Sequence, residues 1–466
     1  MNKTPVFSCS GFPFPMHSVL VWQRGRILQE EYFAPFTSSS LHRMFSVTKS
    51  FAALAVCGLM AEGKIRPEDP VVSFFPEYLP QDPHPFLTDM TIADMLSMRT
   101  CHAQTTYKAD MTKDWTESFF RTLPDHRPGQ IFKYDTSSAH TLSALVKKLT
   151  GRGMLDYLRS LYLDRLGFSP DAHILEDPFG IEMGGSGLVA SPRDLLALAR
   201  LLLSFYKGTW KEDFGDILLS GREEPGDAFF DRYACLVRTC MSFQTSTLHE
   251  GKTLDECQGY GWQFWMVRGG IAMYGMGGQY VLFYPDLDLI VVTTADTQAL
   301  QGGTQYILDE SYRLYQAFCR LEGLSPAPVL CPSLVKEAPS SGKSLREKLE
   351  ECAGTYRILK DGAPFTALHI SPEEISLEST ECRFTFPLQG DPCGRVRDPK
   401  YGQALYVYPS LLKDGRICLY IQILDDYTGS IRILLSPEGD ALTLYMRKIE
   451  ESLFSEFGGF LEARRI

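Results

Sequence analysis

The feature that most constrains this chain is the apolar run opening at Phe45-Ser46-Val47-Thr48-Lys49-Ser50. Phe51, Ala52, Ala53, Leu54, Ala55, Val56 and Cys57 follow, then Leu59 and Met60, and the run stops at Glu62-Gly63-Lys64. A segment apolar on nearly every face predicts a buried helix, not an amphipathic surface one. Gly63 suits the left-handed residue that closes such a helix. A serine at its start has its hydroxyl beside unpaired backbone N–H groups and the positive end of the helix dipole. Lys49, three residues on, returns to the same face and can reach the Ser46 oxygen. Burial should strip that amine of much of its preference for the charged form, as a general base near neutral pH requires. Ser46 is therefore the candidate nucleophile.

The S-x-x-K spacing by itself says little, because it occurs five times: at Ser46/Lys49, Ser204/Lys207, Ser333/Lys336, Ser340/Lys343 and Ser410/Lys413. The last three lie in or beyond a proline-rich region with no buried helix after them. Ser204 falls near the end of a helical run, just before Lys207-Gly208. Only Ser46 opens a long apolar helix. The plain alternative is that Ser46 is an ordinary N-cap.

A chain of 466 residues suggests two or three domains. Its formal net charge of −11 argues against a nucleic-acid surface. The twelve cysteines show neither C-x-x-C pairs nor metal-ligand spacing, and several, such as Cys57, read as small hydrophobes. Met1 to Met16 lacks a basic region followed by an apolar stretch, so no signal peptide is expected. No window reaches the ~18 consecutive apolar residues of a membrane span. A cytoplasmic, reducing setting is the expectation.

Taken in order, Ser18–Trp22 and Arg26–Phe33 read as a hairpin turning at Gln23-Arg24-Gly25. Six prolines between Pro67 and Pro85 require loop. Thr91-Ile92-Ala93-Asp94 starts a short helix with its own cap, and Arg99 to Asp114 reads as loop. A helix follows Phe132-Lys133-Tyr134 and ends at Gly151. Another runs from Leu155 to Leu166 and closes at Gly167. Ser191-Pro192-Arg193-Asp194 caps a helix through Phe205. Gly259–Trp265, Met273–Tyr284 and Leu287–Thr294 predict strands, and Gln305–Leu321 a helix. Proline and serine between Leu324 and Lys343 mark a linker. Beyond it, short β-rich runs recur at 354–358, 365–370, 374–378, 383–388, 404–408, 417–424, 430–435 and 441–446, the spacing of a small barrel or sandwich. The expected domains are residues 1–323, a linker at 324–344, and an all-β unit at 345–466.

The order of motifs up to about residue 320 resembles the serine β-lactamase and penicillin-binding-protein-like hydrolases, particularly class C enzymes and their esterase and amidase relatives. Ser46-Val47-Thr48-Lys49 matches their S-x-x-K. Tyr134-Asp135-Thr136, 85 residues after Lys49, matches Y-x-N with threonine in place of asparagine. Met273-Tyr274-Gly275, followed by Met276-Gly277-Gly278, maps onto the K/H-T-G-type strand. That version is more similar to the branch containing 6-aminohexanoate-dimer hydrolase, as are the glycine-rich segment Met183–Leu188 and Trp265. The resemblance implies an α+β fold: an antiparallel sheet flanked by helices, an all-helical lobe, and the site between them, with the C-terminal all-β domain following.

It also implies roles. Ser46 would be acylated; Lys49, or Tyr134 as a phenolate, would take its proton, and the sequence does not choose between them. Tyr134 would return the proton to the leaving group. The oxyanion would be held by the N–H groups of Ser46 and Met276. Gly275 and Gly277 would let the edge strand lie close to substrate, and Thr136 would line the site. Met273 and Tyr274 supply no cation for a substrate carboxylate, Thr136 offers one donor where asparagine has an amide, and Cys101 stands where relatives tend to have glycine. These departures argue against β-lactam turnover and leave acyl transfer intact. Arg43 could bind a carboxylate but reads better as a solvated surface residue. His42 and His140 have no partner at metal-ligand spacing, so neither metal nor cofactor is expected. The partner expected is a small ester or amide, with no nucleic acid and no membrane. The alternatives are a β-lactamase or D-alanyl peptidase-type activity, or a protein that acylates without turnover and serves as a sensor.

Overall fold

In the computed structural model, which describes residues 4–221, 226–329, 343–388, 395–424, 429–449 and 452–466, the apolar run becomes helix α1, Val47–Ala61, with every residue buried. It ends as its sequence requires. Gly63 takes φ 76°, its N–H donates to Met60 O, and Lys64 N–H donates to Leu59 O. This is the paired closure of a Schellman motif. The same core takes in α2 (Thr136–Thr150), α3 (Pro192–Lys207), α4 (Trp210–Leu219) and α5 (Asp227–Cys240), of which α2 and α5 pack directly on α1. The cap of α3 is the one its sequence announces, Ser191 and Asp194 exchanging hydrogen bonds around Pro192.

One face of this helical body lies on a six-stranded antiparallel sheet of β1 (Met16–Gln23), β2 (Arg26–Tyr32), β3 (Trp265–Val267), β4 (Gly270–Gly275), β5 (Gln279–Tyr284) and β6 (Leu289–Ala295). Their order is β2-β1-β6-β5-β4-β3. The first and last strands of the sheet in chain order thus lie side by side, β1 pairing with β6 at Leu20↔Val292. All residues of β5 and β6 are buried, because helices cover both faces. Leu20, Val281 and Val292 point into the helical core, while Val19, Val21 and Val291 pack under α6, Thr304–Glu322. The two-residue alternation of a strand sorts the side chains between the layers.

Three readings of the sequence need correction. The expected strand at Gly259–Trp265 contributes only Trp265 to β3. Gln263 takes φ 60° and bonds through its N–H to Leu96 O, while a Cβ on Gly261 would stand 2.1 Å from Cys240 O. The segment threads between loops and pairs only through single bridges of Tyr260 with Thr245 and Trp265. The expected strand Met273–Tyr284 breaks into β4 and β5 at Gly277 and Gly278, with φ 85° and 91°. The helix expected at 155–166 starts as Met154–Leu158, widens to a π turn at Arg159–Leu163 and tightens to a 3₁₀ turn at Asp164–Leu166.

After the linker, whose residues 330–342 lie outside the described residues, Ser344 caps helix α7, Leu345–Cys352. Among the described residues, ten antiparallel strands follow: β7 (Gly354–Ile358), β8 (Ala367–Ile370), β9 (Glu374–Glu378), β10 (Arg383–Pro387), β11 (Arg395–Arg397), β12 (Ala404–Leu411), β13 (Ile417–Ile423), β14 (Gly429–Glu438), β15 (Ala441–Ile449) and β16 (Gly458–Arg465). All eight expected runs are strands; β11 and β16 are additional. The order β10-β9-β8-β7-β16-β15-β14-β13-β12-β11 curls until its two ends, β10 and β11, meet. The near-barrel encloses its own core of residues such as Phe365, Leu419, Ile433 and Leu444. Among the described residues, no helix is long and apolar enough to cross a membrane.

Candidate active site

The site starts with backbone geometry just ahead of α1. His42–Arg43 pairs with Leu188–Ala190, and Met44 N–H donates to Leu188 O at 2.7 Å. Phe45 is forced into the left-handed region, φ 45°, a conformation that a bulky residue holds only where its surroundings demand it. The turn leaves Ser46 half-buried at the head of α1. Its hydroxyl does not cap the helix, so the ordinary N-cap reading fails. The Ser46 Oγ instead faces Lys49 Nζ at 2.9 Å.

Lys49 is 1% exposed. Its amine donates to Gly185 O at 2.7 Å and stands 4.9 Å from the centroid of the Tyr134 ring. Burial depresses its pKa to about 7, against the opposing pull of Asp135, while Lys108 lowers it further. The glycine-rich segment makes this contact possible. A Cβ on Gly184 would meet Ala139 O at 2.4 Å, and one on Gly185 would meet the Thr136 methyl at 2.3 Å. Only glycines let this strap lie flat on the first turn of α2 and point a carbonyl at Lys49. Behind it, His140 on α2 meets Asp177 at 3.1 Å, and Asp177 accepts from the N–H groups of Phe179 and Ile181.

Tyr134 approaches from the opposite wall. The Ser46 side chain favours its phenolate, yet burial, the dominant effect, drives its pKa well above that of an ordinary phenol. The ring lies 5.6 Å from Trp265 in a stacked arrangement and 6.4 Å edge-on from Tyr260. Asp135, fully buried, caps α2 by accepting from Ser137 N–H at 2.8 Å. Its other oxygen, Oδ2, has no hydrogen-bond partner. Burial raises its pKa to about 6, in spite of the Ser137 bonds and the nearby Lys49. The sequence reading passed over Asp135 as the variable letter of a three-residue motif. A carboxylate flanked by Tyr134 and a helix-starting threonine was the available signal.

Gly275 ends β4 so close to the turn ahead of Ser46 that a Cβ there would stand 2.1 Å from Met44 O. Met276, next in line, is 49% exposed. Gly277 and Gly278 then turn the chain back, Gly277 O accepting from Thr297 N–H at 3.1 Å. β4 is not the outermost strand, since β3 pairs with it from Gly270 to Ala272. The registered pairing stops there, leaving Met273–Gly275 as the edge beside Met44. Thr136 turns its methyl to Gly185. Met273 is buried, and Tyr274 stacks on Tyr280 at 4.7 Å. Arg43 is exposed, with its Nε donating to Ser186 O. Cys101 is buried beside His102, and burial raises its thiol pKa. His42 is buried in a stack with His17 and Phe36. Among the described residues, no group of three or more His, Cys, Asp and Glu side chains is placed to hold a metal ion.

The family model described as Beta-lactamase matches residues 14–306. The chain belongs to the β-lactamase family. It is 24% identical over 297 residues to the 6-aminohexanoate-dimer hydrolase of Paenarthrobacter ureafaciens, covering 59% of this chain and 70% of that protein. A solved Bacillus anthracis structure, provisionally named a 6-aminohexanoate-dimer hydrolase, superposes with a TM-score of 0.50 at 17% identity, over 66% of this chain and 80% of that one. A Bacteroides dorei structure, provisionally named a β-lactamase, gives 0.50 at 14% identity, over 65% and 94%. At these identities the two structures establish the shared fold. The protein is a β-lactamase-fold hydrolase related to 6-aminohexanoate-dimer hydrolase, and α1, the glycine strap, Tyr134 and the β4 edge all fall inside the matched region.

Proposed function

We propose that the protein is a serine hydrolase that cleaves an ester or small amide through an acyl-enzyme on Ser46. The observation that carries the reading is Lys49 Nζ at 2.9 Å from Ser46 Oγ, in an amine that burial brings to about pKa 7. Near neutral pH much of Lys49 is then uncharged. With one N–H engaged by Gly185 O, its lone pair is free to face the Ser46 hydroxyl. Tyr134 is the weaker candidate for base, because burial opposes its phenolate. This supports Lys49 as base and Tyr134 as acid.

Ser46 Oγ bonds to the carbonyl carbon as its proton passes to Lys49, and the carbonyl π pair moves onto oxygen. The N–H groups of Ser46 and Met276 are the proposed donors to that oxyanion. On collapse, the bond to the leaving group breaks with its electron pair, and the leaving group takes the Tyr134 hydroxyl proton. Lys49 gives up the proton taken from Ser46, restoring Tyr134. Water then attacks the acyl carbon by the same route in reverse, and Ser46 regains its hydrogen. Thr136 and Gly277 are proposed to line the cleft. With Met273 buried and Tyr274 stacked on Tyr280, the third motif presents no cation to a substrate carboxylate. This favours neutral esters and amides over β-lactams and D-alanyl peptides.

Intact mass after incubation with an activated serine-directed phosphonate, wild type beside Ser46→Ala, tests the nucleophile. One adduct on wild type, mapped to Ser46 and absent from the variant, is expected, together with multiple turnovers of a chromogenic ester. A folded wild type that takes no adduct overturns the reading. Adduct formation with no ester turnover identifies the acylating sensor instead.

A further inference from the structure

The proposed acid, Tyr134, stands at the end of a segment whose side chains alternate between two neighbours. Phe132 and Tyr134 face the site, packing with Tyr260 and Trp265. Ile131 enters a small apolar cluster with Leu412, Leu434 and Phe460 of the near-barrel. Lys133 points the same way and meets Glu250 at 2.8 Å and the hydroxyl of Tyr445, on β15, at 3.3 Å. Tyr445 in turn donates to the other Glu250 oxygen at 2.8 Å. The three side chains close a triangle, with Lys133 and Glu250 each about one-fifth exposed.

The triangle joins both supports of Tyr134 to the barrel. Glu250 belongs to the segment that leads to Tyr260 and Trp265, and its neighbour His249 donates to Phe132 O at 2.9 Å. From the barrel side, Arg432 donates to Leu248 O at 2.7 Å and Arg447 to Glu250 O at 2.8 Å. Held by charge-assisted hydrogen bonds at partly desolvated positions, such a network has one favoured geometry. A misplacement of about 1 Å at a catalytic group is enough to slow chemistry.

We infer that Lys133, Glu250 and Tyr445 are positioning residues through which the C-terminal near-barrel fixes the Tyr134 hydroxyl for proton donation to the leaving group. The inference rests on the hydrolase reading and assigns the C-terminal domain a part in it. None of the three touches the reacting atoms.

Leaving-group dependence separates positioning from general support. An ethyl ester expels a basic alkoxide that needs the proton; the p-nitrophenyl ester of the same acid expels a stable phenolate that needs it far less. In kcat/KM, which reads acylation and leaves out the deacylation step that Tyr134 also serves, Tyr445→Phe, Glu250→Gln and Lys133→Met should each fall about tenfold on the ethyl ester and stay within about twofold of wild type on the p-nitrophenyl ester. Lys133→Arg should restore most of the loss, and the Glu250→Gln/Tyr445→Phe pair should be no worse than its poorer single variant. Parallel losses on both esters, or wild-type rates in all three folded variants, overturn the inference. A wild type that hydrolyses neither ester overturns the hydrolase reading itself, and this inference with it.

Discussion

Ser46 and Lys49 stand three residues apart on one helix that is buried along its whole length, whereas Tyr134 stands on an extended segment held by groups more than a hundred residues away, such as His249 and Tyr445. On the first side one helical turn sets the geometry and one apolar core sets the electrostatics. On the second side geometry comes from contacts between segments, and the Lys133–Glu250 ion pair is partly exposed to solvent. A local arrangement survives small shifts elsewhere, because both groups move together. An assembled one is only as accurate as its supports.

The largest effect should follow from removing the base. Lys49→Ala is expected to lower kcat/KM by ~10³-fold or more on activated and unactivated esters alike, since the attack by Ser46 comes before either leaving group departs. Circular dichroism should show the variant folded. Wild-type rates in a folded variant would remove Lys49 from the mechanism. Next comes Gly275→Ala, whose Cβ cannot coexist with Met44 O at 2.1 Å. The β4 edge must retreat from the nucleophile turn, and loss of one oxyanion donor predicts ~10²-fold lower kcat on both esters. Equal activity would place the second donor elsewhere than Met276. In kcat/KM, Tyr134→Phe should divide the substrates, falling ~10²-fold on an ethyl ester and about tenfold or less on its p-nitrophenyl counterpart. An even loss on both would make Tyr134 part of the attack by Ser46 and erase the contrast between the two sides.

The same contrast explains what the sequence made legible. The Ser46 helix, its Gly63 closure and the Lys49 contact are all written within twenty residues, and side chains three apart on a helix must meet. The Ser191 cap and eight of the barrel strands were readable for the same reason: local pattern decides them. Tyr134 was visible only through its likeness to a family motif. Its supports were not visible at all, because nothing local ties Lys133 to Glu250 and Tyr445. Gly259–Trp265 misled for a related reason. Its aromatics suit a strand, but the N–H groups of Gln263 and Trp262 are committed to the carbonyls of Leu96 and Cys240. Asp135 escaped notice because its meaning lies in burial beside Lys49, which composition does not reveal.

Asp135 belongs to both sides and gives the smallest and most specific effect. It caps α2 on the Tyr134 side, and its carboxylate raises the Lys49 pKa on the other. Asparagine keeps the capping oxygen, so Asp135→Asn should fold. Without the negative neighbour, charged Lys49 is less favoured. If Lys49 is the base, the rising limb of kcat/KM is expected near pH 7 in wild type, where burial places its amine, and should therefore move to lower pH in the variant. Stability should change with the opposite pH sense. Asp135 titrates near 6 when folded against an ordinary 3.8, so the folded chain binds the extra proton between those values and wild-type stability falls as pH rises through them. Above pH 6 the buried carboxylate destabilises by up to about 3 kcal/mol, at ~1.4 kcal/mol per unit, and at pH 8 Lys49 is largely neutral and returns little of it. Asp135→Asn should accordingly raise Tm at pH 8 and leave it nearly unchanged at pH 4. A limb that stays in place while Tm rises would confine Asp135 to the fold. A limb that moves without a gain in Tm would mean that Asp135 is better solvated than its burial implies.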